Sequence, residues 1–270
     1  MPRIDHDTVI DLIREAAETR IMPLWRNLEE GQVMEKGLGD VVTQADRECE
    51  VFLGSALQKL LQGSLVVGEE AFAADRGVMD ALDSERPVWV LDPLDGTRNF
   101  ARHRGPFGVM VCLLLRGETL AAWIYDPLES TLLTAERGGG SYLAGERVTM
   151  PGEDKAVADM TGGVMVRYLP EELKEHAIRA RDRFARVSGS GCAAYDYRQL
   201  VRGAIDFLFY YRTLIWDHAP GVLILDEAGG YARRYNGEIY HPQEQESGLL
   251  CAGTQGNWQQ LRDVLLPPDL

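Results

Sequence analysis

The sequence predicts a layered protein of α-helices and β-sheets, with an α+β first half and an α/β second half. Apolar residues near the N-terminus recur at helical spacing, and a β-rich stretch interrupted by turn residues begins at Gly108. After about residue 150, strands and helices alternate. Helices and sheets bury their apolar faces against one another, which produces stacked layers. We therefore expect two packed halves, residues 1–150 and 151–270, with one functional site that starts in the first and is completed by the second.

Two helices are predicted before residue 62. In the first, apolar residues recur over 9–24, with Asp7 or Thr8 as the N-cap, and Pro23 bends or ends the helix. A second helix is predicted over 46–61, after a polar, glycine-bearing loop or hairpin. We expect its buried face to consist of Val51, Phe52, Ala56 and Leu60.

Apolar runs predict buried strands at 64–70 and 88–92, and both runs end in acidic residues. Antiparallel strands are expected after Gly108, with turns at the Asp-Pro pair of 126–127 and at the glycines of 138–140. Amphipathic helices are predicted over the three segments 172–185, 192–205 and 219–230. The last of these should stop at its terminal glycine pair.

Composition and charge exclude several classes of function. The 28 basic and 42 acidic side chains give a net charge of −14, which disfavours a nucleic-acid-binding surface. No apolar run is long enough to span a bilayer, and the charged N-terminal segment does not resemble a signal peptide. The four cysteines are far apart and form no CxxC pair. We expect a reduced, cytoplasmic protein with neither membrane nor direct nucleic-acid partners.

Acidic residues occur at or beside four predicted strand ends: Asp40 with Asp46, Glu69 with Glu70, Asp92 with Asp95, and Asp217. Each has a simple structural explanation, such as a helix cap for Asp46 or Asp217, a solvated strand end for the glutamates, or a tight turn. If strand-end carboxylates converge on one pocket, they repel one another. Hard divalent cations with oxygen ligands would remove this repulsion, so the set indicates a metal site.

The segment VLDPLDGTRNF contains the densest group of candidate ligands. A strand that ends at Asp92 would direct one carboxylate into the site, and the following turn would bring Asp95 beside it. The same turn would expose the Leu94 carbonyl oxygen. Gly96 and Thr97 then offer backbone N–H groups suited to a phosphate, and the threonine hydroxyl could orient a water. Two cations about 3.5–4 Å apart would stabilise an in-line displacement at phosphorus.

Four motifs, in family order across most of the chain, resemble those of the inositol monophosphatase-like phosphatases, which are magnesium-dependent and lithium-sensitive. They are GDVVTQAD (39–46), VGEE (67–70), WVLDPLDGTRNF (89–100) and WDHAPGVLILDEAGG (216–230). A fifth segment, GCAAYDY (191–197), matches more loosely, with Cys192 at the family's hydroxyl position. The resemblance implies a stacked αβαβα sandwich of the inositol monophosphatase and fructose bisphosphatase type, and a homodimer.

The resemblance also assigns roles to individual residues. The ligands of two main Mg²⁺ ions would be Glu69, Asp92, the Leu94 carbonyl, Asp95 and Asp217. Thr97 with Asp46 resembles the pair that activates the attacking water, assisted by Glu69, and no covalent phospho-enzyme is expected. The N–H groups of Gly96 and Thr97 would bind the phosphate. A third, weaker ion is associated with a mobile loop at about 34–40, which contains Lys36 and Asp40; Mn²⁺ is an alternative to Mg²⁺.

Departures from the family pattern bear on the substrate. Inositol-preferring members carry an acid seven residues before the aspartate of the WD motif, where this chain has Tyr210. A tyrosine can donate as well as accept a hydrogen bond, which makes Tyr210 a candidate specificity residue. Arg212 would favour an anion if it faced the site, but we expect it to face solvent. The substrate contacts predicted from the resemblance are Asp95, Gly191, Ala193, Tyr210 and Asp217.

The leading hypothesis is a Mg²⁺-dependent phosphomonoesterase for a small phosphorylated metabolite, namely inositol monophosphate or a related sugar or polyol phosphate. The nucleotide-cleaving branch of the family usually has Lys-Glu-Phe after the motif threonine, whereas this chain has RNF (98–100). Phosphatases for fructose 1,6-bisphosphate, histidinol phosphate or 3′-phosphoadenosine 5′-phosphate remain alternatives. A different class of function is a regulatory binding protein on the same scaffold.

Overall fold

The computed structural model describes residues 4–29, 31–37, 40–244 and 247–268. The helices in these ranges are α1 (His6–Ala16), α2 (Gln44–Leu60), α3 (Glu69–Ala74), α4 (Thr97–Ala101), α5 (Glu171–Ala180), α6 (Ala193–Val201), α7 (Ile215–Glu227) and α8 (Gln255–Leu265). The strands are β1 (Val33–Gly37), β2 (Asp40–Thr43), β3 (Leu65–Gly68), β4 (Val88–Asp95), β5 (Gly108–Leu115), β6 (Glu118–Asp126), β7 (Thr131–Glu136), β8 (Gly140–Leu143), β9 (Glu146–Val148), β10 (Thr161–Val164), β11 (Arg186–Ser188), β12 (Phe207–Tyr210), β13 (Tyr231–Arg233) and β14 (Leu249–Ala252).

The larger sheet has seven strands in the order β3-β4-β5-β6-β7-β8-β9. Strands β3 and β4 run parallel, with Gly68 opposite Leu91, and the other neighbouring pairs are antiparallel. Because parallel strands end at the same edge of a sheet, the acids that follow β3 lie beside those at the end of β4.

The DPLD segment forms a bulge within β4, and the prediction of a strand that ends at Asp92 was wrong. Asp92 pairs with Met110 and Asp95 with Gly108, so the register shifts between the two aspartates. Pro93 has no N–H to offer the ladder, and proline is tolerated inside a sheet mainly at such irregular positions. The bulge still brings both carboxylates to the same edge of the sheet.

The smaller sheet has the order β11-β10-β12-β14-β13. Strand β10 runs parallel to β11 and β12, and β14 runs antiparallel to β12 and β13. Its strands come from residues after 160, and those of the larger sheet from residues 65–148. The division of the chain at residue 150 stays a prediction.

Three apolar clusters show how the layers stack. In the first, Leu53 of α2 packs with Trp89 and Trp123 on one face of the large sheet. A second joins the opposite face of that sheet to α6, α7 and the near face of the small sheet. The third, with Phe207 and Leu261, joins the far face of the small sheet to α5 and α8. The order is helix, sheet, helix, sheet, helix, which confirms the αβαβα fold class.

The first two helices differ in detail from their predictions. Asp5, not Asp7 or Thr8, caps α1, because its Oδ1 accepts the Thr8 N–H at 3.1 Å. The helical path continues through one π-turn and a 3₁₀ turn that contains Pro23, so the predicted end was right. The predicted buried face of α2 was right only in part: Val51 is 71% exposed, whereas Phe52 and Leu60 are half-buried and pack against the apolar core. The side that packs inward carries Asp46, Cys49, Glu50, Leu53 and Leu57.

Two further findings concern the described residues. All four cysteines are buried free thiols. Within the described ranges, no helix is both long and apolar enough to cross a membrane.

Candidate active site

Three carboxylates from two motifs meet at the carboxyl edge of the large sheet. Asp92, Asp95 and Asp217 each offer an oxygen within 4.8 Å of the others. The β4 bulge positions the first two. Asp217 lies in the first turn of α7, whereas the sequence predicted that it precedes this helix. With Glu69 they line a cleft of about 400 Å³.

The electrostatics of this cluster favour a cation. Burial raises the pKa of Asp92 well above its usual value, and the charges of Glu69, Asp95 and Asp217 raise it further. The pKa of Asp217 rises for the same reasons, and its side chain hydrogen-bonds that of Asp92. Two carboxylates can share such a bond only if one retains a proton. An all-oxygen donor set that must otherwise hold protons fits a hard divalent ion such as Mg²⁺.

Asp95 also connects the large sheet to α6. Its Oδ2 accepts the Ala194 N–H, at the start of α6, at 2.6 Å. Burial raises the pKa of Asp95 to about 6, although hydrogen bonds from Cys192, Ala194 and Gly96 act in the opposite direction. This carboxylate therefore holds α6 against the end of β4 while it faces the other acids.

Thr97 and Asp46 form the predicted pair. Thr97 Oγ1 lies 2.9 Å from Asp46 Oδ1 and 2.8 Å from the Leu94 carbonyl oxygen, so its single proton has two acceptors. Asp46 Oδ2 also accepts the N–H and hydroxyl of Thr43 at 2.8 and 2.5 Å, which caps α2. Burial raises the pKa of Asp46 to about 7. Asp46 thus contributes both to the cap of α2 and to the site, because Oδ2 accepts from Thr43 and Oδ1 accepts from Thr97.

Gly96 allows the chain to turn from β4 into α4. Its φ is +84°, and a Cβ there would lie 2.8 Å from the Pro106 carbonyl oxygen. Asn99, from the same motif, donates to the carbonyl oxygens of Pro106 and Ser190 at 2.9 and 3.0 Å. These bonds bring the segment around Gly191 against α4, and Gly96, Thr97 and Gly191 all line the cleft.

Glu69 begins α3, and a residue that the sequence analysis missed positions it. Glu50 accepts the N–H groups of Glu70 and Ala71 at 2.8 and 2.7 Å, and so caps α3 with both carboxylate oxygens. A Cβ at Gly68 would collide with this carboxylate, which explains the glycine in VGEE. Burial raises the pKa of Glu50 to about 7. The sequence signal for Glu50 was its position one helical turn after Asp46, on the same face of α2.

The β1–β2 hairpin contacts two sides of the cleft. Lys36 Nζ lies 3.2 Å from Glu69 Oε1 and also pairs with Glu70. Asp40 accepts from the Tyr168 hydroxyl and from Arg212, each at 2.8 Å. Residues 38 and 39 of the predicted loop lie outside the described residues. The expectation that Arg212 faces solvent was wrong, because it pairs with Asp40 and lines the cleft.

Tyr210 is buried in the cleft wall with a second missed acid beside it. Its hydroxyl lies 3.3 Å from Asp196 Oδ2, and burial raises the pKa of Asp196 to about 7. Asp196 belongs to the GCAAYDY segment, so α6 brings an acid to Tyr210, and the neighbouring sequence 207–216 contains none. Ala193 and Asp196 line the cleft together.

Most of the predicted site residues face this one cleft. Its walls include Asp40, Glu69, Asp92, Asp95, Gly96, Thr97, Gly191, Ala193, Tyr210 and Asp217. Asp46, Leu94 and Lys36 contact these residues from behind or from the hairpin. Four motifs that are far apart in the sequence are therefore brought together around one set of carboxylates.

Residues 6–265 match the model of the inositol monophosphatase family, so the chain belongs to this family.

Relatives agree with this assignment. The inositol-1-monophosphatase of Mesorhizobium japonicum is 34% identical over 209 residues, which cover 76% of each chain. The Nus factor SuhB of Vibrio cholerae is 30% identical over 239 residues, 84% of this chain and 83% of its own. Among solved structures, the Thermotoga maritima IMPase superimposes with a TM-score of 0.81 at 25% identity, with 97% of each chain covered.

Proposed function

We propose that this protein is a Mg²⁺-dependent phosphomonoesterase that hydrolyses a small phosphorylated metabolite. The observation that carries the proposal is the cluster of Asp92, Asp95 and Asp217 within 4.8 Å, next to the Thr97–Asp46 hydrogen bond. A set of oxygen donors beside a hydroxyl–carboxylate pair suits hydrolysis of a phosphate ester by water.

In this proposal each residue has a distinct task. Two or three divalent ions held by Glu69, Asp92, the Leu94 carbonyl, Asp95 and Asp217 would acidify a water and neutralise the phosphate charge. Thr97 accepts a proton from the attacking water and passes its own to Asp46, whose Oδ1 lies 2.9 Å from the threonine hydroxyl. The N–H groups of Gly96 and Thr97 hold the phosphate oxygens.

The family and the cleft support a proposal for the substrate class. The relative named inositol-1-monophosphatase, 34% identical, favours a sugar or polyol phosphate. Tyr210 with Asp196 would donate to and accept from substrate hydroxyls, in place of the single acid predicted at that position. We further propose that Mn²⁺ can replace Mg²⁺, that lithium inhibits, and that the protein is a cytoplasmic homodimer.

A regulatory role is the second candidate, since a relative that is 30% identical is named a Nus factor. The retained carboxylate cluster favours catalysis, because mutually repelling buried acids destabilise a fold that has no use for them. The two roles are compatible, and the phosphatase proposal does not depend on excluding the other.

The test is phosphate release by the purified protein with Mg²⁺ or with EDTA. The substrates are inositol 1-phosphate, fructose 1,6-bisphosphate, histidinol phosphate, 3′-phosphoadenosine 5′-phosphate and glycerol 2-phosphate. We expect Mg²⁺-dependent release and, for Asp92→Asn and Asp217→Asn, a loss of at least about 100-fold with folding intact by circular dichroism. Full activity of either folded variant, or equal release in EDTA, would contradict the proposal.

A further inference from the structure

We infer that His218 is a positioning residue for the proposed reaction. It fixes the segment between β12 and α7, so that Tyr210 and Arg212 form one stable wall of the cleft. This inference rests on the proposed phosphatase function, to which it adds a residue. His218 follows Asp217 in the first part of α7, and its side chain is buried.

Both nitrogens of the His218 ring bond to protein groups. Nε2 lies 3.1 Å from the Arg212 carbonyl oxygen, and Nδ1 lies 3.0 Å from the Tyr197 hydroxyl. A carbonyl oxygen can only accept, so Nε2 carries the hydrogen, and Nδ1 of the neutral ring accepts from the tyrosine. These two bonds occupy both nitrogens, so His218 does not serve as a metal ligand, although it borders the cleft.

The segment that His218 contacts is held at three consecutive residues. The Gly248 N–H donates to the Tyr211 carbonyl oxygen at 2.8 Å, and Arg234 Nη1 donates to Thr213 Oγ1 at 3.0 Å. The bond to Arg212, between these two, comes from α7 itself. His218 therefore ties the segment to the helix that carries Asp217.

The His218 ring also packs against Tyr210. The two ring centroids lie 4.6 Å apart with an angle of 60° between the planes, which is an edge-to-face contact. Tyr197, the partner of Nδ1, stacks with Tyr210 at 6.1 Å. His218 thus supports the Tyr210 side chain and the Arg212 backbone, and both of these residues line the cleft.

The contacts of the Arg212 side chain depend on where its backbone lies. Nη1 is 2.8 Å from Asp40 Oδ2, and the guanidinium group is 3.8 Å from the Tyr168 ring centroid. Asp40 begins β2, so this ion pair links the segment before α7 to the β1–β2 hairpin. Without the His218 bond, the segment would be free to shift and the pair would weaken.

The metal ligands are positioned by other interactions. Asp92 and Asp95 belong to the β4 bulge, and Asp217 lies on a helix whose Trp216 and Leu225 are packed between the sheets. Loss of the His218 bonds should therefore weaken substrate binding more than metal binding. A general loosening of α7 would instead displace Asp217 and raise the Mg²⁺ requirement.

The experiment compares His218→Met with His218→Gln. Both new side chains are unbranched and similar in size, but only glutamine can donate to the Arg212 carbonyl oxygen. With the substrate that is hydrolysed fastest in the panel above, we expect His218→Met to raise KM by about 3- to 10-fold. The kcat value and the Mg²⁺ concentration for half-maximal activity should change by less than about twofold, and His218→Gln should restore a KM near that of wild type.

Tyr197→Phe is a second, milder variant that keeps the histidine and removes only the hydroxyl bonded to Nδ1. It should raise KM in the same way by about 2- to 5-fold. Tyr240→Phe is the matched control, because Tyr240 is also buried and its hydroxyl has no hydrogen-bond partner among the described residues. Its KM should equal that of wild type.

Hydrogen exchange measured by mass spectrometry gives a readout that needs no substrate. In His218→Met we expect faster exchange than in wild type in two places, the segment 211–213 and the β1–β2 hairpin, because the hairpin is held through Arg212 and Asp40. His218→Gln and Tyr240→Phe should leave the exchange of the hairpin unchanged.

The outcomes separate the two proposals. The positioning role is wrong, and the phosphatase function stands, if the two His218 variants have the same KM or if the defect of His218→Met lies in kcat and the Mg²⁺ requirement. If His218→Met does not fold, a Tyr197→Phe protein with the KM of Tyr240→Phe overturns the role. If the wild type hydrolyses no substrate, the phosphatase proposal falls, and equal hairpin exchange in Tyr197→Phe, His218→Met and wild type would overturn the positioning role as well.

Discussion

Asp95→Asn removes one charge from the carboxylate cluster and leaves the shape of the side chain almost unchanged. In the metal-free protein, burial raises the pKa of Asp95 from 3.8 to about 6. A shift of about two units corresponds to about 3 kcal/mol of lost stability when the carboxylate is fully charged. An asparagine oxygen can still accept the Ala194 N–H, now 2.6 Å from Asp95 Oδ2, so the link to α6 is retained.

The sign of the pH dependence follows from the direction of this shift. A folded-state pKa above the unfolded value means that the folded state binds its proton more tightly, so stability is lost as the pH rises from about 4 through 6. In EDTA we therefore expect Asp95→Asn to be more stable than wild type by up to about 3 kcal/mol at pH 8, or about 6–12 °C in Tm. At pH 4 the difference should nearly vanish.

The assay is thermal and urea unfolding at pH 4, 6 and 8, in EDTA and in Mg²⁺, with phosphate release measured in parallel. Asp11→Asn, an exposed change on α1, is the control for the substitution itself. Mg²⁺ at about 100 times its Kd should stabilise the wild type by about 2.7 kcal/mol and the variant far less. The difference in stability between the two proteins should therefore shrink or change sign. An Asp95→Asn protein less stable than wild type in EDTA at pH 8 would refute the argument.

Two other substitutions test how the site is held. Gly96→Ala should lower the free energy of unfolding by about 1–3 kcal/mol and abolish phosphate release, because φ is +84° and the new methyl would press on the Pro106 carbonyl. Urea unfolding of wild type and variant at one pH measures the loss of stability. Unchanged stability would contradict the prediction. Glu50→Ala removes both hydrogen bonds to the first turn of α3. It should therefore lower the free energy of unfolding by about 1–2 kcal/mol and raise the Mg²⁺ concentration needed for half-maximal activity. A Mg²⁺ titration with an unaltered midpoint would show that Glu50 does not position Glu69.

Local sequence signals were sufficient for the residues at strand ends and helix starts. The apolar run that ends in Gly68 marks the end of β3, and the run before Asp92 leads to the bulge near the end of β4, which continues to Asp95. Both strands belong to the same sheet and run parallel, so their ends had to lie together. The grouping of four motifs needed the family resemblance, because contacts between distant segments leave no trace in local spacing.

The error on α2 has a physical cause. Helical periodicity assigns the buried face to the most apolar residues, which gave Val51 and its neighbours. The face that packs inward carries Asp46 and Glu50, which are buried because they hydrogen-bond Thr97 and the start of α3. Functional acids on the inner face of a helix make that face less apolar, so helical periodicity misplaces the buried face of the helix that supports the site.

Asp196 shows a different limit. It lies in the segment that matches the family pattern only loosely, and it reaches the cleft because α6 packs between the two sheets. The family pattern places a substrate-binding acid at the position of Tyr210, whereas the acid beside Tyr210 comes from α6. Residues that determine substrate choice are thus less predictable than the metal ligands, because they depend on how the two sheets pack.

Helix N-termini offset part of the repulsion among the acids. Asp46, Glu69 and Asp217 lie in the first turns of α2, α3 and α7, and Asp95 accepts the Ala194 N–H at the start of α6. Each such placement stabilises a carboxylate by about 0.3–1 kcal/mol, and by up to about 2 when partly buried. The loss at Asp95 alone is about 3 kcal/mol at high pH, and the pKa values of Asp92 and Asp217 are raised as well. Helix dipoles therefore cannot cancel the cost of burying and grouping these charges, and cation binding should raise the stability of the fold as well as enable its chemistry.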